Sequence, residues 1–570
     1  MLILGFILLF IMGRLLSLLV YQICWTNGTS GKFLRAGACA SCLIKPLPWL
    51  LHLLVMWPLA EIPWNDYPIL QSYAVLCAVL LTIGSVGRFG NADLGRCFWF
   101  DRLLVIVLAA GVAVSPVFLY PCVLAACSLQ YTVASWKLSP GYSNLLGFEW
   151  IRASTCMVIA CLAVFGGLHA FGIAHENLES LAIAVVLGFQ ASSYVNHALA
   201  KSALGKHPFS WILENRVHCL VANAWLRGWQ IHLRETTILR IAKWVKRWRM
   251  AICASAWLVE FFWLFLFIDH RYASIVITVT ILLHLAVFCL TGLASYHYIA
   301  SHCFMLGFLW SNGSSGIFID EHFIGAAVAI AAYALWLGWL RPRLLRAYRK
   351  TGKVPALSRF ADPADHLMAW WDSPYMRMFC YTVETRSGET FFLPTPKLSP
   401  HDTAITDIHT HLMILGLHQD LDPAVESDKA RIRTGVWGLL IDQTDRDKLY
   451  ETMDAKLDPS FLKTDPDIEP WEMQCDDSSP ASAVPLRNLF ESIQHGWFKR
   501  LTSWPHFPGE DFAADWCPLA DLPSQAFDFN QPITKVTIWR IKTWFTGEEM
   551  RLLESNRVGI IHLNDRSVSP

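Results

Sequence analysis

The residues best equipped for chemistry lie in "SYVNHALAKSALGKHPFSWILENRVHCLVANAWLRGW" (193–229), where Asn196, His197 and Lys201 close a mostly apolar run. His197 and Lys201 are four apart, so a helix puts them on one face. A lysine inside lipid is strongly disfavoured and marks a functional site by default. An amine stripped of water becomes a usable base near neutral pH. The plainer reading of the same position is a basic anchor whose amine reaches the cytoplasmic headgroups. Glu260 lies in "AWLVEFFWLFLF" and His284 in "ITVTILLHLAVFCLTG". A carboxylate in such a run must pair, protonate or line a cavity. A histidine there can simply hydrogen-bond a neighbouring helix. Lys201, Glu260 and His284 fall on three consecutive apolar spans, which predicts that they converge on one cavity.

Other motifs carry less. Asp407, His409 and His411 form "DIHTH", and an HxH at a strand end can bind a metal. The metal-dependent hydrolases with this opening need a barrel, and the chain left after it is too short for one. Cys39 and Cys42 are spaced CxxC, a weak redox or metal signal on its own. Asp476-Asp477 sits in a Ser/Pro loop and reads as solvated. There is no DDxxD, DxDD, P-loop, GxSxG or HExxH. No metal site is expected from these residues.

The elements that must hold the polar residues are membrane spans. The chain of 570 residues is 54% hydrophobic and 16% charged, with mean hydropathy +0.37. The charge deficit falls in the first 341 residues, where apolar runs follow one another. A spanning helix needs about 20 apolar residues. Candidate spans cover 2–23, 48–62, 68–86, 99–116, 118–135, 150–172, 179–199, 251–268, 273–295, 296–311 and 321–341. The first carries Arg14 and no clear cleavage site, so it reads as a span and not a signal peptide. The 26 Trp suit membrane interfaces. The 16 Cys are mostly single within apolar runs and read as buried hydrophobes. The formal net charge of +0 points to no nucleic-acid partner.

Basic residues in short loops set orientation. Segment 200–250 holds Lys201, Lys206, Arg216, Arg227, Arg234, Arg240, Lys243, Lys246, Arg247 and Arg249 against Glu214 and Glu235, which places it in the cytoplasm. Eleven spans then put the N-terminus outside and the C-terminal domain inside, behind Arg341, Arg343, Arg346, Arg349 and Lys350. The expected division is a polytopic domain over 1–341 and a soluble β-rich or α+β domain over 342–570. Within the latter, "YTVETRSGETFFL" (381–393) predicts a hairpin turning at Ser387-Gly388, and "ITKVTIWRIKTW" (533–544) predicts a strand.

The segment "SYVNHALAKSALG…SW", followed by "WLVEFFWLF" and "ILLHLAVFCLTGL", resembles vitamin K-dependent gamma-carboxylase-like proteins and their horizontally transferred transmembrane domain over about 190–311. The resemblance implies an all-α membrane bundle around an isoprenoid or quinone. It implies a lysine base, matched by Lys201, which in the carboxylases deprotonates vitamin K hydroquinone. Some relatives are thought to cyclise isoprenoid diphosphates instead. The chain departs from the carboxylases where their paired lysines appear as Ala200-Lys201, where their large lumenal domain has no counterpart of that size, and in the cytoplasmic placement of its C-terminal domain.

These departures favour an isoprenoid diphosphate cyclase, with a quinol-coupled carboxylase or epoxidase, or a non-catalytic lipid-binding protein, as alternatives. The expected catalytic residues are Lys201, His197, Glu260 and His284; the expected substrate contacts are Asn196, Tyr194, Arg216, Arg227 and Trp225. The implied companions are Mg2+ with a diphosphate substrate, or a quinol in the alternative, together with membrane lipid.

Overall fold

The computed structural model describes residues 2–29, 43, 49–86, 99–134, 143–173, 178–202, 207–226, 235–267, 270–291, 295–311, 330, 332–333, 336, 375–393, 471–473 and 531–563. Twelve α-helices precede five strands among them. The helices are α1 (Leu2–Thr29), α2 (Trp49–Ala60), α3 (Pro68–Val86), α4 (Trp99–Val112), α5 (Leu119–Ala134), α6 (Ser143–Ala170) and α7 (Leu178–Ser202), then the short α8 (Ser210–Glu214) and α9 (His218–Leu226), and finally α10 (Glu235–Phe262), α11 (His270–Thr291) and α12 (Tyr296–Ser311).

Helices occupy each of the first ten predicted spans, and among the described residues six are long and apolar enough to cross a membrane. They are Leu4–Cys24, Pro68–Val86, Phe148–Ala170, Leu178–Ser202, Thr236–Phe265 and His270–Leu290. α2, with Pro58 inside it, is only 12 residues long, and α4, α5 and α12 have 14, 16 and 16. Over the described residues these four are shorter than the roughly 20 residues a span needs. Of the last predicted span, only residues 330, 332, 333 and 336 are described, and these are helical.

The bundle is organised around α6 and α7, whose span residues are 78% and 83% buried, against 17% and 22% for those of α10 and α11. Outer faces carry large apolar side chains such as Ile275, Leu282 and Phe288 on α11. An exposed apolar surface of this extent suits burial in a membrane.

Local chemistry explains several helix ends. α6 stops in a Schellman motif: Gly172 takes φ +72°, its N–H donates to His169 O, and Ile173 N–H donates to Leu168 O. α3 starts on Pro68, suited to a first helical position, and its free Ile69 and Leu70 N–H groups donate to Glu179 Oε1 of α7 at 2.7 and 2.8 Å. The carboxylate thus satisfies two of the N–H groups that a helix start leaves without intrahelical partners. α2 can lie tight on α6 because a Cβ at Gly166 would run into the Pro58 carbonyl.

α10 corrects the predicted boundary. The span was expected from 251 with a basic loop before it, whereas one helix of 28 residues runs from Glu235. Ile238, Ala242 and Val245 recur at helical spacing and are buried, so the basic stretch is amphipathic and helical.

The strands β1 (Tyr375–Thr385), β2 (Thr390–Leu393), β3 (Trp471–Met473), β4 (Ile533–Phe545) and β5 (Met550–His562) form one sheet in the order β2-β1-β4-β5-β3. The predicted hairpin is present: β1 and β2 pair antiparallel, Tyr381 opposite Leu393, and Gly388 takes φ +82° in the turn. The predicted strand is β4, which pairs antiparallel with both β1 and β5. β3 joins β5 in parallel. The end of β4 seats on the helices: Phe545 is buried with Cys219, Val221 and Ala222 of α9 and Ile238, Ala242 and Val245 of α10.

Candidate functional site

Lys201 occupies the last turn of α7 and Glu260 the last turn of α10. The two helices run antiparallel here: Trp257 Nε1 donates to Ala198 O at 3.1 Å and to Ser202 Oγ at 2.9 Å, and one turn further along α10 Glu260 reaches Lys201. Lys201 Nζ lies 2.5 Å from Glu260 Oε1, with 5% and 8% of the two residues exposed. The amine also sits 4.6 Å from the centre of the Trp211 ring of α8. Lys201 is thus enclosed by protein and not exposed at the bundle surface. A pair this buried is compensated only by close geometry, since desolvation of each ion costs several kcal/mol.

Next to this pair is a shell of aromatic and imidazole rings. Tyr194 of α7 stacks on Trp263 at 4.7 Å, and its hydroxyl shares a 2.6 Å hydrogen bond with His284 Nε2 of α11. His284 stacks on Tyr298 of α12 at 5.0 Å, and His302 of α12 lies 5.5 Å from Tyr194, 5.3 Å from Trp263 and 5.8 Å from Trp150 of α6. Four helices and the turn that follows α10 therefore meet around one point. The two halves adjoin along α7, where Tyr194 lies two turns before Lys201. Deeper still, Tyr73 Oη of α3 bonds Ser154 of α6 at 2.7 Å and Ser301 of α12 at 2.9 Å, and Gln190 Nε2 of α7 donates to Ser301 at 3.0 Å.

Several buried polar atoms in this shell have no hydrogen-bond partner among the described residues: His302 Nε2, Trp150 Nε1, Gln190 Oε1 and Glu260 Oε2. Buried polar groups are almost always bonded. Trp150 Nε1 and His302 Nε2 belong to the ring cluster, Gln190 Oε1 to the Tyr73 network and Glu260 Oε2 to the ion pair. Aromatic rings can also stabilise a cation, because desolvated cation–π contacts reach about 2 kcal/mol.

The structure joins some predicted residues and separates others. Lys201 and Glu260 form the pair, and Tyr194 and His284 the adjoining bond. Asn196 is buried on α7, and His197 is half-buried there with no described contact to the pair. Arg216 is half-buried between α8 and α9, and its charge acts on His218. Arg227 and the side chain of Trp225 lie outside the described residues, as do "DIHTH", Cys39, Cys42 and Asp476-Asp477.

Tyr298, His302, Trp150, Trp211 and Trp263 were missed. Tyr298 and His302 carried a legible signal, being four apart on one face of an apolar helix, the same spacing that singled out His197 and Lys201. A second buried ion pair was missed too: Arg152 of α6 bonds Glu149 at 2.9 Å and reaches the Ser17 backbone of α1.

No protein-family model matches the chain, and no curated protein or solved structure is detectably similar to it.

Proposed function

We propose that this chain is an integral membrane enzyme that acts on an isoprenoid substrate by proton transfer, as a noncanonical isoprenoid diphosphate cyclase. The observation that carries the reading is the Lys201–Glu260 ion pair sealed beside the Tyr194–His284 hydrogen bond within a wall of aromatic rings. A cyclisation begun by protonating a double bond needs an acid, a dry aromatic pocket for the cation and a base to take the proton back. Proton donated and proton recovered balance, so no oxidant is required.

The basic groups favour this start over departure of the diphosphate. Arg249 and Lys246 lie 11 and 14 residues before Glu260 on one helix, about 16 and 21 Å along its axis. A diphosphate held there leaves the far end of the tail at the ring cluster. Among the described residues, no group of three His, Cys, Asp or Glu side chains is placed to hold a metal. The cations on α10 can answer the diphosphate charge directly.

The reading puts the C-terminal sheet in the cytoplasm, supported by its seat on the basic half of α10. Cysteine accessibility mapping from both membrane faces tests that side. A second reading, a quinol-coupled carboxylase or epoxidase, is favoured by the 2.6 Å Tyr194–His284 bond, a dyad suited to drawing a proton from a quinol hydroxyl. Incubating membranes with farnesyl or geranylgeranyl diphosphate, and separately with vitamin K hydroquinone and labelled bicarbonate, distinguishes the two. Turnover of neither assigns the polar cluster to helix association.

A further inference from the structure

We propose that the outward face of the first half of α10 is a docking surface for anionic phospholipid headgroups. The helix divides its two faces sharply. Ile238, Ala242 and Val245 turn inward and are covered by α9 and by Phe545 of β4. Arg240, Lys243, Trp244, Arg247 and Trp248 recur every three or four residues on the other side, and all are exposed. Trp244 and Trp248 are 54% and 50% exposed, an unusual state for two indoles one turn apart. The Arg247 guanidinium lies 6.0 Å from the Trp248 ring.

Charge and height both select the partner. The outward face carries Arg240, Lys243 and Arg247, and no Asp or Glu occurs from Thr236 to Met250, whereas Lys246 and Arg249 act on His218. The apolar span of α11 ends at Leu290, and that residue packs against the cluster built by this part of α10, beside Ile241 and Ile252. The basic, Trp-bearing face therefore lies where the hydrocarbon core gives way to headgroups. Indoles partition to that layer, and lysine and arginine there attract anionic lipid. A soluble acidic protein would use the cations but gives no reason for two exposed indoles at that height. The surface is distinct from the candidate active site, and the proposal holds whether or not the chain is a cyclase.

The test is native mass spectrometry of the purified full-length protein in detergent, titrated with phosphatidylglycerol or with phosphatidylcholine. Wild type is expected to retain phosphatidylglycerol about tenfold better or more, since each interfacial cation contributes roughly fivefold. Arg240→Gln/Lys243→Gln/Arg247→Gln is expected to bring retention down to the phosphatidylcholine level, and Trp244→Ala/Trp248→Ala to weaken both lipids. These side chains face outward, so the melting temperature in detergent checks the fold, and Arg247→Gln alone gives a smaller shift in the same direction. Equal retention of the two lipids by wild type, or full preference kept by the triple variant, overturns the proposal. Loss of the preference to millimolar inorganic phosphate, or to an acidic peptide, also overturns it by assigning the face to soluble partners.

Discussion

Lys201 Nζ and Glu260 Oε1, 59 residues apart in the chain, meet at 2.5 Å where α7 and α10 cross, almost out of contact with solvent. Removing one partner strands the other charge, which costs about 3–5 kcal/mol, whereas replacing both is often near neutral. Lys201→Met keeps the side-chain length and is expected to lower the melting temperature in detergent clearly. Lys201→Met/Glu260→Leu should recover most of the loss. Two additive losses would show that the pair is not coupled.

Tyr194→Phe keeps the ring stacked on Trp263 and deletes the bond to His284. An unpartnered buried nitrogen costs about 1–3 kcal/mol. If the hydroxyl passes protons, turnover per folded molecule falls roughly a hundredfold or more. A variant that loses stability but keeps full turnover would restrict Tyr194 to a structural role.

His218 sits under the seam between sheet and helices, its ring 6.2 Å from Phe545. Burial, and then the charges of Lys246, Arg216 and Arg249, push its imidazole down to about 3 from 6.5. The folded state keeps the ring neutral while the unfolded chain takes up a proton below pH 6.5, so this group's contribution to stability is lost as pH falls from 6.5 towards 3. The slope of melting temperature against pH in that window should flatten in His218→Leu. An unchanged slope would contradict the assignment.

Gly166 and Gly167 are neighbours on α6 with opposite requirements. A Cβ at Gly166 meets the Pro58 carbonyl, whereas one at Gly167 meets nothing within 4 Å. Gly166→Ala is expected to cost about 1–3 kcal/mol through overpacking. Gly167→Ala should be neutral or gain up to about 1 kcal/mol of helix propensity. Thermal melts of the two variants side by side measure the contact between α2 and α6.

Much of this architecture was legible in the chain. Apolar runs located the helices, and alternation in "ITKVTIWRIKTW" located β4. Lys201, Glu260 and His284 stood out because charge and imidazole are costly in apolar runs. What stayed hidden was non-local. Which face of α7 meets α10 decides that Lys201 finds Glu260 while His284 finds Tyr194, and no spacing within one helix contains that. The pairing of β1 with β4 joins residues about 150 positions apart, so strand order was hidden for the same reason. The start of α10 was obscured by its own charge: five basic residues read as loop, although Ile238, Ala242 and Val245 already held the helical period.

The proposed cyclase requires the Lys201–Glu260 and Tyr194–His284 groups to act together on an isoprenoid diphosphate. The most direct measurement incubates membranes holding wild type, Tyr194→Phe or Lys201→Met/Glu260→Leu with geranylgeranyl and farnesyl diphosphate, and quantifies cyclic products per folded molecule. Wild type is expected to give a cyclic product, and both variants a fall of about a hundredfold or more. A wild type that returns both substrates unchanged, or variants that match its turnover, would contradict it.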